Sequence, residues 1–497
     1  MNPGLNTLGR PFSRLLIASA IITAFPAHAD DKAEIDKLKA QIQELDQKLR
    51  VLDRKQEIAT DEATAKQKAA PIVNVGDKGF GFKSADGQFE YKLRGLLQLD
   101  YRNIGGNAFP DAVDGFTARR IRPTFEGTVF GKYGFRFTPE FGENKSNVVD
   151  AYLDVKEDPA FQVRVGKFKP FVGLERLQSG GDIKFIERSY VSNNILPNRD
   201  LGISVFGDVL NKKVNYSFGV FNGVADGGEA TTTQDIDNGK EYAARLFTTP
   251  FIDSDNGLKG LGFGVATTYG QTKGTTSLEY RGRISGVTSG LGTYKTPGQA
   301  NSFFSYQNTI STTTPTDDKF VVANGQHLRW TPQAYYYKGP LGVIAEYAES
   351  SQAVARYIGT SNTTTSLTNS DTLNNYAWQI AASWLITGEE ASFKGVKPFS
   401  PFKAGSEGGW GAFELLARFQ ENKLDQKAST YGDTLKGYAL GARTFGVGLN
   451  WYLSDSSKLA INYDLTTLQD VTAGTLAKGA LKDTREHLVV ARYQLVF

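Results

Sequence analysis

Cationic side chains recur along one stretch of this chain at spacings that suit the binding of anions. Arg119-Arg120-Ile121-Arg122-Pro123-Thr124-Phe125-Glu126 is followed by Arg136 and Glu140, set among Phe135, Phe137 and Phe141, and then by Arg164. Side chains of a strand alternate between its faces. With Ile121, Pro123 and Phe125 on an apolar side, Arg120, Arg122 and Glu126 take the other, and Arg136, Glu140 and Arg164 fall on the matching face of their strands. Arg245 and Arg418 repeat the arrangement further on. A basic segment, Gly166-Lys167-Phe168-Lys169-Pro170-Phe171-Val172-Gly173-Leu174-Glu175-Arg176, runs on through Lys184 to Glu187-Arg188. A guanidinium fork binds two oxygens of a phosphate at once. A narrow, water-filled constriction lined by Arg and Lys selects anions, because fixed charge replaces part of the hydration lost on entry. The competing reading of the same cations is ordinary: solvated strand ends, or contacts to anionic lipopolysaccharide on an outer rim. Arg119 is the exception to the pattern. Strict alternation points it to the apolar side, where an arginine costs roughly 2–4 kcal/mol at a bilayer midplane. It must sit near an interface, follow a bulge that turns it inward, or lie at a subunit contact.

Other chemistries find little support. The chain has three His, at 28, 327 and 487, and no G-x-S-x-G elbow, so a nucleophile–base dyad has no evident members and no catalytic residue is assigned. Cys is absent, which removes disulfides and thiolate metal sites. Asp253-Ser254-Asp255-Asn256-Gly257 superficially resembles a calcium loop but lacks the closing glutamate, and reads as a turn. Gly79-Phe80-Gly81 is a strand entrance, since no helix follows to make a phosphate cradle. No metal, cofactor or nucleic-acid partner is expected.

The elements that must position the cations follow from periodicity. Arg10 and Arg14, the apolar run Leu15 to Phe25, and Ala27-His28-Ala29 read as a signal peptide over 1–29, with the mature chain starting at Asp30. Residues 30–70 are expected to be a coiled-coil helix and linker. Ile35, Leu38, Ile42, Leu45, Leu49 and Leu52 form a heptad a/d seam, which decays from Thr60 into an Ala/Lys-rich linker that Pro71 closes. Residues 71–497 are expected to be a β-barrel. Phe89, Tyr91, Leu93, Leu97, Leu99 and Tyr101 share one face of the first strand, and Glu90, Lys92, Arg94, Gln98 and Asp100 the other. The last strand repeats this, with Val489, Ala491, Tyr493, Leu495 and Phe497 opposite Arg492 and Gln494.

Strand-like segments begin near 89, 117, 133, 148, 161, 201, 213, 240, 260, 326, 341, 374, 411, 443, 457 and 487, an even number, as a single-chain bacterial outer-membrane barrel requires. Connections 102–116, 142–147, 169–200, 222–239, 271–325, 350–373, 421–442 and 467–486 would face outside, most of them long. Those at Gly131-Lys132, Glu157–Ala160, Asn211-Lys212 and Lys338–Pro340 are tight, and 388–410 breaks the rule. Mean hydropathy is −0.34, and no mature stretch reaches the roughly 20 apolar residues of a membrane helix. Such numbers suit a barrel, of whose strands only alternate residues meet lipid. The fold class is thus an all-β transmembrane barrel of about 16 antiparallel strands with an N-terminal periplasmic coiled-coil helix.

RRIRPTFEGTVFGKYGFRFTPEFG (119–142), GKFKPFVGLERLQS (166–179), Glu187-Arg188, PNRDLG (197–202), NWYLSD (450–455) and the terminal ARYQLVF together resemble the phosphate-selective porins O and P over nearly the whole mature chain. The resemblance implies a homotrimer of sixteen-stranded outer-membrane barrels, each passing phosphate or polyphosphate. It implies that the third loop, about 169–200 and including Lys169, narrows the barrel, and that Arg119, Arg120, Arg176 and Arg188 line the constriction. Arg281 and Arg283, with Lys295 beyond, resemble the family's entrance ladder of arginines. There are departures. Gly134 stands at a strand-three position where members carry a lysine, the acidic partner of the lysine cluster is shifted to Asp150, and Arg122 adds a cation where an aromatic is usual. These keep the site anionophilic while leaving open a broader anion porin for organic phosphates or carboxylates, or a surface barrel without transport.

Overall fold

The computed structural model describes residues 29–497 apart from 77–78, 107, 110–111, 232–234, 279–283, 310–317, 360–364, 406–407, 434–437 and 473–483. The expected signal peptide, save Ala29, lies outside the described residues, as do Arg281 and Arg283. The chain divides into two compact units, residues 1–70 and 71–497. In the first, one α-helix, Ala29–Ala69, carries the heptad seam, and all six seam residues from Ile35 to Leu52 are exposed. The stretch from Thr60, expected as linker, is helical to Ala69. Ala, Lys, Gln and Glu are strong helix formers, and no Gly or Pro interrupts them before Pro71.

The second unit is a ring of sixteen strands: β1 (Glu90–Gly106), β2 (Gly115–Val129), β3 (Tyr133–Glu140), β4 (Asn147–Asp158), β5 (Phe161–Phe168), β6 (Asp200–Val209), β7 (Val214–Phe221), β8 (Glu241–Thr248), β9 (Leu261–Lys273), β10 (Lys319–Lys338), β11 (Leu341–Gly359), β12 (Thr365–Leu385), β13 (Ala412–Lys423), β14 (Tyr438–Tyr452), β15 (Ser457–Thr472) and β16 (Arg485–Val496). Each is antiparallel to the next, and β16 pairs back onto β1 with Arg492 opposite Asp100, so the sheet closes without a free edge. A short hairpin, Ile72–Gly76 with Gly79–Lys83, joins β1 at Glu90–Leu93, just past the stretch that β16 covers.

Alternation sorts the ring as the sequence implies. Leu99, Tyr101, Phe137, Val165, Leu246, Ile380, Trp384 and Phe445 are exposed on its outer face, while Gln98, Asp100, Glu140, Gln379, Ser383, Arg418 and Asn450 are buried within. The main apolar cluster is therefore inside the ring and is built largely from loops, with Val172, Tyr190, Val191, Ile195, Tyr294, Phe303 and Phe304 at its centre.

Two connections differ from expectation. Residues 350–359 and 365–373 are strand: β11 and β12 stay paired from Ser350 opposite Asn375 to Gly359 opposite Thr365. Its β12 arm, 365–373, is Ser/Thr/Asn-rich and has no apolar face to mark it in the sequence. The irregular 386–411 segment folds back on the ring, packing Ala391 and Val396 against Leu385, Ala412 and Tyr452. Asp253–Gly257 is a turn in which Asn256 Oδ1 accepts from Ser254 Oγ and Leu258 N, both at 2.9 Å.

Candidate functional site

Residues 169–199, between β5 and β6, cross the interior of the ring. A loop buried in this way must find partners for its peptide groups, and inward-facing amides and carboxylates of distant strands supply them. Gln98 Nε2 on β1 donates to Gly180 O at 2.9 Å, and Gln494 Nε2 on β16 to Gly181 O at 2.9 Å. Asn462 Oδ1 on β15 accepts from Ile186 N at 2.6 Å, and Gln420 Oε1 on β13 from Tyr190 N at 2.9 Å. Glu346 on β11 takes Leu174 N at 2.7 Å and Glu175 N at 3.2 Å. Two other segments meet the loop. From the 274–318 connection, Lys295 O accepts from Asn194 Nδ2 at 2.9 Å. From 386–411, Phe393 O accepts from Gln178 Nε2 at 2.7 Å and Lys394 O from Lys184 Nζ at 3.4 Å. Among the described residues the interior is thus narrowed by three segments, of which the family resemblance implied one.

The strand cations point inward and are nearly all paired. Arg119 owes its direction to a bulge. Gln98 lies opposite Arg120 but Leu99 lies opposite Ala118, so Arg119 is the extra residue of β2 and leaves the apolar face. It grips Glu187 with Nε at 2.6 Å and Nη2 at 3.2 Å. Arg120 donates to Gln98 Oε1 at 2.6 Å and lies 3.7 Å from Glu187. Arg122 bonds Glu140 at 2.5 Å. Arg136 pairs with Glu126, and Arg164 takes both oxygens of Asp154 at 2.7 and 2.9 Å while stacking on Tyr152 at 3.9 Å. Arg136 and Arg164 line a polar cleft of about 310 Å³ whose walls do not include Lys169, Arg176 or Arg188. In it Lys156 fills the space that Gly134 leaves: its Nζ would be 3.1 Å from a Cβ built there.

The loop cations are different. Lys169 Nζ donates to Gln178 O at 2.7 Å, and Arg188 to Gln178 O at 2.7 Å and Glu175 O at 3.4 Å. Arg176 bonds Asn198 Oδ1 at 3.0 Å, Asn193 Oδ1 at 3.2 Å and Ser192 O. Among the described residues none of the three forms an ion pair, and the buried Nε of Arg176 has no acceptor. Burial, and then the charges of Arg188 and Arg199, push the Arg176 guanidinium down to about 9. Burial pushes that of Arg188 down to about 10; Glu175 opposes the shift, and Arg199 and Arg122 add to it. Lys169 is held well below the ordinary lysine range by burial and by Arg188 and Arg199. Lys169, Arg176, Arg188 and Arg199 thus form one electropositive cluster.

Arg199 was not among the sequence candidates. It pairs with Asp150 at 2.8 and 3.4 Å, which is where the displaced acidic residue finds its partner. Arg102, two residues beyond Asp100 on the same face of β1, was also passed over and bonds both Asp100 at 3.1 Å and Glu187 at 3.2 Å. Simple parity would have found it.

The family model described as phosphate-selective porin O and P matches residues 89–497. No curated protein matches the chain. Similar solved structures include the outer membrane channel DcaP of Acinetobacter baumannii, 10% identical over 84% of this chain and 99% of that one, TM-score 0.48. OmpT of Vibrio cholerae is 9% identical over 82% and 98%, TM-score 0.47, and an anion-selective porin from Comamonas acidovorans 13% identical over 82% and 100%, TM-score 0.46.

Proposed function

The chain belongs to the phosphate-selective porin O and P family, and is on that footing an outer-membrane porin, a channel rather than an enzyme; from this premise we propose that it is an anion-selective channel for passive uptake of phosphate or polyphosphate. The observation that carries the reading is the set of loop cations, Lys169, Arg176 and Arg188, that form no ion pair among the described residues and sit on the segment crossing the interior of the ring. Their carbonyl and amide partners fix the side chains without neutralising them, and Glu175 offsets only part of the charge of Arg176 and Arg188. An anion arriving there gives up water and meets guanidinium and ammonium donors at low local dielectric, where charge acts more strongly than in bulk. Cations meet the same potential as a barrier. Phosphate suits the forks of Arg176 and Arg188, since each planar guanidinium can face two of its oxygens.

Residues 1–29 serve as the export signal and residues 30–70 as a self-associating helix in a homotrimer, with lipopolysaccharide and lipid around the barrel. A broader preference, including organic phosphates and carboxylates, draws support from the strand-two pair, since Arg119 and Arg120 already face the Glu187 carboxylate. Reversal potentials across planar bilayers under a KCl gradient test the reading. Anion selectivity, with phosphate blocking the chloride current, is expected; cation selectivity would overturn it. Comparing phosphate with citrate as blocker separates the narrow from the broad preference.

A further inference from the structure

Four guanidiniums from three strands converge on one carboxylate at the tip of the inward loop. Glu187 is 5% exposed. Arg119 reaches it at 2.6 Å, Arg102 at 3.2 Å, Arg492 at 3.5 Å and Arg120 at 3.7 Å. Other carboxylates nearby are Asp100, which pairs with Arg102 at 3.1 Å and Arg492 at 2.6 Å, and Glu143, at 3.3 Å from Arg119. Four positive charges therefore face three negative ones, and the buried Nε atoms of Arg102 and Arg120 have no acceptor. A carboxylate presents the same two-oxygen edge to a guanidinium as a phosphate does. The arginine cluster of the wall thus already holds an anion, supplied by the chain itself.

The backbone at this point does not depend on that carboxylate. Ile186 N donates to Asn462 Oδ1 at 2.6 Å, Arg492 Nη1 donates to Ile186 O at 2.7 Å, and Arg418 Nη1 donates to Glu187 O at 2.9 Å. The loop tip is therefore pinned on both sides of the Glu187 side chain by groups that would remain if its charge were removed.

We infer that Glu187 is a built-in counter-anion that sets how tightly the constriction holds what passes. It occupies Arg102, Arg119, Arg120 and Arg492, so a passing anion is left with the loop cations that hold no ion pair among the described residues, Lys169, Arg176 and Arg188. Conduction requires binding strong enough to admit an ion and weak enough to release it, and Glu187 keeps the site on the weak side. The inference rests on the anion-channel reading above, which wild-type reversal potentials test separately.

The experiment compares full-length protein reconstituted in planar bilayers with its Glu187→Gln, Glu187→Ala and Glu187→Asp variants, each first checked for the heat-dependent mobility shift of a folded barrel. The measured quantities are reversal potential in KCl and the inorganic phosphate concentration that halves chloride current. Glu187→Gln and Glu187→Ala should shift selectivity further toward anions and lower the half-blocking concentration about tenfold, since a unit charge is removed beside the pathway. Glu187→Asp should stay within about twofold of wild type, because its charge is kept. Unchanged or weakened block in a folded neutral variant would overturn the inference, and so would failure of both neutral variants to fold, which would make Glu187 a folding residue. A wild type without anion selectivity would defeat the channel reading, while a shift toward anions in the neutral variants would still place Glu187 on the ion path.

Discussion

Phe497 closes the ring across Gly95. Gly95 N donates to Phe497 O at 2.7 Å, Phe497 N donates to Gly95 O at 3.1 Å, and the phenyl ring lies where a side chain on residue 95 would be, 2.3 Å from an ideal Cβ. On its other side the ring meets Phe80 edge-on, centroids 6.0 Å apart. The last residue of the chain thus seats in a slot made by one glycine and bounded by the N-terminal hairpin. Gly95→Val should displace the ring at a cost of about 1–3 kcal/mol, typical of overpacking. The expected readout is a lower temperature for the heat-induced mobility shift on gels; a transition at the wild-type temperature would show that the slot is not needed.

The contrast between paired and unpaired cations predicts an order of effects on phosphate block. Arg176→Ala and Arg188→Ala each remove a charge held in no ion pair among the described residues, and should raise the half-blocking phosphate concentration about tenfold, the loss of one charge-assisted contact of roughly 1.4 kcal/mol. Arg120→Ala should do less, because Arg120 shares Glu187 with three other arginines. Equal effects at all three positions would contradict this division.

Much of this was legible in the sequence, and the reasons are physical. Alternation located all sixteen strands, because lipid outside and polar groups inside impose a period of two along each of them. It also flagged Arg119 as a misfit, and a bulge resolves it. The start of β12 was missed because 365–373 is Ser/Thr/Asn-rich on both faces and carries no such signal, and the end of β11 that pairs with it was read as loop along with it. What periodicity could not reveal is pairing. Arg120, Arg176 and Arg188 look alike in a sequence, but only the path of the 169–199 loop decides that Glu187 meets the first while the others keep backbone carbonyls and amides. The inward fold of 386–411 has no periodicity at all, and its contact with Gln178 depends on a tertiary path.

Asp226, in the connection between β7 and β8, predicts a pH dependence. Burial alone would raise its pKa, but Arg329 and His327 beside it hold it down to about 2. Its carboxylate accepts from Arg329 Nε at 2.8 Å, Ser350 Oγ at 2.9 Å and Tyr294 OH at 2.9 Å, tying two long connections to the wall. The folded value lies below the unfolded one of about 3.9, so this contribution is complete above about pH 4 and is lost as pH falls through about 2. The unfolding temperature should drop between pH 4 and pH 2, and Asp226→Asn should be less stable at pH 7 with a flatter profile. A mutant profile parallel to the wild type would assign the acid sensitivity elsewhere.

The helix Ala29–Ala69 predicts self-association. Its six seam residues are exposed, and a single helix in water gains little from an apolar stripe that nothing covers. Spacing of 3 and 4 from Ile35 to Leu52 matches the seam of a left-handed coiled coil. Isoleucine at a and leucine at d lean toward two strands, but three heptads are too short for that rule to dictate the number, and in the homotrimer proposed above attachment to the barrels would raise the local concentration of three copies. Deleting residues 32–58 should therefore leave the barrel folded while lowering the temperature at which trimers dissociate to monomers in detergent. Replacing Leu45 by Asp should do the same without shortening the chain, by placing a charge at the middle of the seam. Trimers of unaltered heat resistance in both variants would show that the seam serves another partner.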